Sequence, residues 1–139
     1  MTKVLIDTTV LVYAFDNSDG EKHEKAGKIL TELEASGNGI LSIQNIVEFA
    51  RVLTEKSRLP QNPNMVRSYI LQLKKLFEVK YYNENTVAEA LHLSSVYGIH
   101  FFDALIAATM EENFIYEIAT ENENDFRKIT NLKITNPFK

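Results

Sequence analysis

The chain is 139 residues long, has no cysteine and carries a net charge of −4. That length suits one domain, expected over residues 1–139, which can bury roughly two-thirds of its unfolded surface without staples. The missing thiols exclude a disulfide framework and thiolate chemistry and fit a reducing compartment. Without a basic excess, any nucleic-acid role must rest on a local basic patch, on metal ions that offset the acids, or on both. No apolar run approaches the roughly 20 residues of a membrane span, and the N-terminus reads as a strand with one lysine rather than a signal peptide. A soluble, cytoplasmic protein with no membrane partner is expected.

Val4, Leu5 and Ile6 form a short continuous apolar run, the pattern of a strand buried on both faces. The run stops at Asp7, and apolar residues resume at helical spacing at Val10, Leu11 and Ala14. A carboxylate between strand and helix lies at the carboxyl edge of a sheet, where open α/β sheets bind their ligands. Asp7 would serve equally well as an ordinary helix cap. Residues 17–20 read as a turn, and 21–36 as a helix with Ala26, Ile29, Leu30 and Leu33 on one face. Gly37-Asn38-Gly39 ends that helix, and 39–42 is a second short strand.

Residues 43–56 predict a helix with Ile43, Ile46, Val47, Phe49, Ala50, Val52 and Leu53 over most of its circumference. Gln44, Glu48, Arg51 and Glu55 fill the remaining strip, which reads as a solvent face or as a polar strip along a groove. Residues 57–64 form a proline-containing loop, 65–76 a helix, and 77–82 a candidate third strand. A helix over 83–97 is expected to turn Val87, Ala90, Leu91 and Ser94 inward before Gly98. The helix over 99–110 is apolar nearly all round, hence central, and carries Asp103 in its first turn. There Asp103 would be stabilised by the helix dipole by about 0.3–1 kcal/mol even with no other role. A strand over 116–120, an acid-rich loop over 121–125 and a last strand over 132–135 complete the chain.

This order predicts an α/β fold with a parallel sheet, whose crossover helices start at the carboxyl edge of the strands. Asp7, Glu48, Asp103 and the pair Asn122 and Asp125 would then converge at one edge. Two carboxylates about 4 Å apart repel by on the order of 4 kcal/mol at an effective dielectric near 20, so such a group needs a proton or a cation. An oxygen-only donor set favours Mg²⁺ or Mn²⁺ over zinc. An ion of that kind can activate water and stabilise an in-line phosphoryl displacement. His23, His92 and His100 stand at no metal-ligand spacing and are not expected to act in catalysis. No dinucleotide-binding glycine motif and no Walker loop is present. Arg51, Lys56, Arg58, Lys74 and Lys75 could form a basic rim for phosphates or simply solvated faces.

At these residues the chain resembles the PIN-domain family and, within it, the toxins of VapBC-type toxin–antitoxin pairs. Ile6-Asp7-Thr8-Thr9-Val10-Leu11-Val12-Tyr13-Ala14 is similar to the family's opening motif, whose Asp is a metal ligand, with Thr9 where many members have Asn. Ser42-Ile43-Gln44-Asn45-Ile46-Val47-Glu48-Phe49 resembles the second motif, whose Glu falls on Glu48. Phe102-Asp103-Ala104-Leu105-Ile106-Ala107-Ala108 resembles the third, whose Asp falls on Asp103. Thr120-Glu121-Asn122-Glu123-Asn124-Asp125-Phe126 resembles the fourth more loosely, since many members have Asp at the place of Asn122. The resemblance implies a three-layer α/β/α fold with a mainly parallel central sheet, a homodimer and metal-dependent cleavage of RNA. It also implies a cognate antitoxin.

The resulting expectation is a Mg²⁺- or Mn²⁺-dependent endoribonuclease. Asp7, Glu48 and Asp103 hold the ion, Asp125 or Asn122 completes the site, and Thr8 and Thr120 orient the carboxylates. Two other readings stand beside it. One is an acid-site phosphohydrolase with Asp7 as nucleophile, although Thr9 occupies the place where such enzymes carry a second Asp. The other is a catalytically weak module of the same fold that binds RNA or protein, with Asn122 as a mark of decay.

Overall fold

A computed structural model describes residues 2–139 of the chain. Among them lie five strands and seven helices. The first part runs β1 (Val4–Ile6), α1 (Thr8–Phe15), α2 (Gly20–Ser36), β2 (Gly39–Ser42) and α3 (Ile43–Arg51). A wider π-helical turn, Val52–Lys56, extends α3. There follow α4 (Pro63–Leu76), β3 (Glu78–Lys80), α5 (Glu84–Tyr97), α6 (Phe101–Glu112), β4 (Glu117–Ala119), α7 (Glu123–Phe126) and β5 (Lys133–Thr135).

The sheet has strand order β3-β2-β1-β4-β5, and every neighbouring pair is parallel. Its middle strand explains the layers. Val4, Leu5 and Ile6 are all buried, and side chains alternate across a strand. Ile6 and Leu41 therefore pack with Val10, Leu11, Phe49 and Leu53 from α1, α3 and the π-turn. Leu5 and Ile40 point the other way, against Ile106 and Met110 of α6 and Phe126 of α7. Helices α1–α4 cover one face and α5–α7 the other, a three-layer α/β/α fold.

The chain winds outward from β1 through β2 to β3, then crosses back to add β4 and β5 on the opposite side. Strand order thus reverses at β1, and the crevice beyond the carboxyl ends of β1 and β4 is the place where such sheets bind ligands. The Asp7 N–H donates to Ala119 O at 2.9 Å, carrying the β1–β4 ladder one residue past the strand. Helix α5 ends at Gly98, whose φ of 65° suits a residue without a Cβ. That turn aims α6 back along the sheet with His100 and Asp103 at its amino end.

Most element boundaries agree with the sequence reading to within two residues. Two helical faces do not. Val47, read as apolar lining, is 62% exposed, while Gln44, read as part of the polar strip, is 5% exposed. The fold rotates α3 so that Phe49 and Leu53 enter the core and Gln44 reaches α6. On α5, Leu91 is exposed and Leu93 is buried, because the face that packs along α6 is Thr86, Ala90 and Leu93. The acid-rich stretch after β4 is not an open loop but the single turn α7. No single helix among the described residues is long and apolar enough to cross a membrane.

Candidate functional site

Asp7 leaves β1 into the crevice and is 6% exposed. It caps α1: its Oδ1 accepts from Thr8 N at 2.8 Å. The capping role and the site role are therefore the same geometry, not competitors. Asn45 Nδ2 also donates to Oδ1, at 3.3 Å, and Thr120 Oγ1 donates to Oδ2 at 2.7 Å. Burial pushes the Asp7 carboxyl above its ordinary value, against the opposing pull of the Thr120, Thr8 and Asn45 donors.

Glu48 comes from α3, whose first turn is capped by Ser42 at the end of β2. Its Oε1 accepts from Thr8 Oγ1 at 2.8 Å. Thr8 Oγ1 in turn accepts from Asn45 Nδ2 at 3.0 Å. One amide thus steers both the Asp7 carboxylate and the hydroxyl that holds Glu48. Glu48 too is raised, first by burial and further by the charge of Asp7, while the Thr8 hydroxyl and Gln44 lower it.

Asp103 stands in the first turn of α6, and its Oδ2 accepts from Asn122 Nδ2 at 3.2 Å. Burial pushes it up to about 7, helped by a proton shared with Asp125 and by the charges of Asp7 and Asp125. Asp125, on α7, is buried, which opposes its ionisation. The Asp103 proton and two donors from His100 outweigh that burial and hold Asp125 down at about 2. Those donors are the His100 backbone N–H and its ring Nδ1, 3.0 and 2.7 Å from Asp125 Oδ2. The two carboxyls are thus driven in opposite directions, Asp103 up and Asp125 down.

Asp7, Thr8, Thr9, Glu48, Asp103 and Asn122 line one cleft of about 310 Å³, together with Arg51 and Lys56. Asp125 and His100 lie behind Asp103 rather than on the cleft wall, so Asp103 joins two neighbourhoods. On one side are Asp7 and Glu48; on the other are Asp125 and His100, whose donor atoms lie within 4.8 Å of one another and of Asp103. The fold thus brings Asp7, Glu48 and Asp103 to one cleft, with Asn122 donating to Asp103, while Asp125 adjoins the group through Asp103 alone.

Arg51 lines the cleft from the last turn of α3, three residues after Glu48, and Lys56 from the π-turn that follows. Ser57 N donates to Val52 O at 2.7 Å, the i→i+5 bond of that wider turn. Asn45 and His100 escaped the sequence reading. Asn45 carried a signal, since a polar residue three after the capping Ser42 stays on the first turn. His100 was passed over because its partners lie in other elements, not at a fixed sequence spacing.

The donor set fits a divalent cation. Among the described residues no lysine or arginine forms an ion pair with Asp7, Glu48 or Asp103; their hydrogen bonds come from threonine and asparagine. Cleft-lining Thr9 also has a buried hydroxyl with no partner among the described residues. Clustered carboxylates with neutral donors behind them suit a hard ion such as Mg²⁺ or Mn²⁺.

The sequence matches the PIN domain family over residues 4–132. Among solved structures the chain is similar to FitAcB from Neisseria gonorrhoeae, at 20% identity and a TM-score of 0.74, covering 97% of this chain and 98% of that one. It is similar to VapBC2 from Rickettsia felis bound to a DNA fragment from their promoter, at 18% identity and a TM-score of 0.72, covering 97% and 98%. It is also similar to VapC20 from Mycobacterium tuberculosis, described as a sarcin-ricin loop cleaving toxin, at 16% identity and a TM-score of 0.70, covering 90% and 94%. At these identities the likeness shows the fold. A search of curated proteins finds no relative by sequence. With the family match running through all four motifs and nearly the whole chain, this protein belongs to the PIN domain family.

Proposed function

We propose that this protein is a Mg²⁺- or Mn²⁺-dependent endoribonuclease, the toxin of a VapBC-type toxin–antitoxin pair. The observation that carries the reading is the convergence of Asp7, Glu48 and Asp103, from three separate elements, on one cleft without a cationic partner. Family membership supports nuclease chemistry, and the toxin–antitoxin complexes among the similar structures support a partner antitoxin.

Asp7, Glu48 and Asp103 would hold the ion, with Asp125 and Asn122 completing the site. A divalent cation in such a place supplies charge for the phosphoryl oxygens and acidifies a water. The protein's own part is orientation. Thr120 and Asn45 aim the Asp7 carboxylate, and Thr8 aims that of Glu48. Asn122 aims Asp103. Arg51 and Lys56 on the cleft wall offer a cationic rim for phosphates beside the scissile one, and so answer the overall negative charge of the chain. A homodimer is part of the same proposal, and light scattering of the purified chain tests it.

The deciding experiment is cleavage of a mixed structured RNA pool by the purified protein, free of antitoxin, in Mg²⁺, Mn²⁺ or EDTA. The expected result is products with either metal, none in EDTA, and none from Asp7→Asn. Metal-dependent cleavage that survives Asp7→Asn would overturn the assignment. An inert protein that binds neither ion at millimolar concentration would favour a binding module of the same fold.

A further inference from the structure

Phe102 is a large apolar ring left in water, 62% exposed. Its neighbour Phe101 packs on the core between α5 and α6, whereas Phe102 joins no core cluster among the described residues. A single exposed aromatic is ordinary on a protein surface; the place of this one is not. Residues four apart share a helix face, and side chains lean toward the amino end. Asp103 and Ile106 of α6 both line the cleft. Phe102 stands beside Asp103 and four residues before Ile106. The cleft-lining stripe therefore runs from a buried floor at Ile106 to this exposed ring at the amino end of α6.

The backbone beneath the ring is fixed. Gln44 Nε2 donates to Phe102 O at 2.9 Å, and Gln44 is itself buried, one turn before Glu48 on α3. The ring makes a T-shaped contact with Phe101, centroids 5.4 Å apart. A side chain so anchored loses little freedom when a ligand covers it. From the α3 side, Arg51 and Lys56 line the same cleft. The site thus offers cations for phosphates and, beside Asp103, an aromatic face. That combination suits a single strand of nucleic acid, whose bases stack on rings while its backbone follows positive charge. Paired bases keep their faces inside their own stack, and unpaired ones can be splayed out. A phenyl ring has no hydrogen-bonding group, so it accepts any base.

We infer that Phe102 is the stacking platform for an unpaired base next to the phosphate held in the cleft, so that the site takes single-stranded or looped RNA rather than duplex. This rests on the reading of the cleft as a ribonuclease centre and names the form of RNA that centre takes.

The test uses the full chain in Mn²⁺ with a short single-stranded RNA made resistant to cleavage by phosphorothioate linkages. A fluorescent adenine analogue that dims on stacking is placed at each position in turn. Variants are checked for native circular dichroism. The expected result is quenching by the wild type that is kept in Phe102→Trp and lost in Phe102→Ala and Phe102→Leu. Affinity by anisotropy should fall about tenfold in the last two. The slope of log affinity against log salt should not change, because no charge is removed. Affinity for a duplex of the same sequence should not change either. Phe114→Ala, which removes an equally bare ring beyond the other end of α6, should leave every reading as in the wild type. Quenching that survives in Phe102→Ala, or wild-type affinity in Phe102→Leu, would overturn the inference. So would an altered oligomeric state of Phe102→Ala in light scattering with RNA affinity unchanged, which would assign the ring to a protein contact. Metal-dependent cleavage of the RNA pool without quenching at any position would overturn the inference and leave the nuclease reading standing. A wild type that neither cleaves nor binds RNA would sink both.

Discussion

Asp7 is a buried carboxylate held by three neutral donors. Such a group is costly to leave ionised alone, and its donors keep it aimed rather than neutralised. Thr120→Val removes the 2.7 Å bond to Oδ2 while keeping the shape. Metal affinity by calorimetry should then fall about tenfold with the circular dichroism unchanged. Asp103 gives a pH signature. Its value in the folded protein, about 7, lies above the ordinary 3.8. The stability its proton contributes is complete below the ordinary value and drains away as pH rises toward 7. Asp125 works the other way: its contribution is present above 3.8 and is lost only as pH falls toward about 2. Between about pH 4 and 7 the metal-free protein should therefore lose a few degrees of Tm, and Asp103→Asn should flatten that slope. Saturating Mn²⁺ at pH 7 should restore the lost stability, because the cation replaces the proton between the carboxylates. Thermal melts in EDTA and in Mn²⁺ read both effects.

Helix α3 shows what the elements contribute. It starts where β2 delivers Ser42 as a cap, carries Asn45, Glu48 and Arg51 toward the crevice, and runs on into a π-turn that presents Lys56. Its apolar residues are not equivalent. Phe49 is fully buried and Val47 is 62% exposed. Phe49→Ala should cost about 3–5 kcal/mol in urea unfolding, whereas Val47→Ala should change stability by no more than about 0.5 kcal/mol. A helical wheel treats the two alike, since Val47 and Phe49 both sit among apolar neighbours. The direction in which the helix faces the sheet distinguishes them. At the start of α5, Asn83 and Thr86 form a reciprocal capping box that the polar run at that position foreshadows. Asn83→Ala should lower stability by about 1 kcal/mol in the same measurement.

At the scale of the molecule, the site exists only because the strand order reverses at β1. Residues far apart in sequence then share the crevice beyond β1 and β4. The overall charge of −4 leaves the approach of a polyanion to the bound cation and to a small basic rim. RNA binding should therefore be weak in EDTA and should show a shallow salt dependence. Lys56→Ala should reduce the slope of log affinity against log salt by about one when binding is followed by fluorescence anisotropy on a non-cleaved RNA analogue.

The local sequence was sufficient to determine that β1 is buried on both faces, that Asp7 ends it, that the elements alternate as an α/β fold, and that acids recur after strands and at helix starts. Those features depend on neighbours a few residues away, through apolar periodicity, caps and turns. The resemblance in four motifs added the three-layer architecture, which the structure has. Only the tertiary structure decided that Gln44 is buried and Val47 exposed, that Leu93 rather than Leu91 faces α6, that α3 widens into a π-turn, and that His100 meets Asp125. Each of these depends on the orientation of one element against another. Packing chooses that orientation by burying the larger share of apolar surface, and no single segment carries the information.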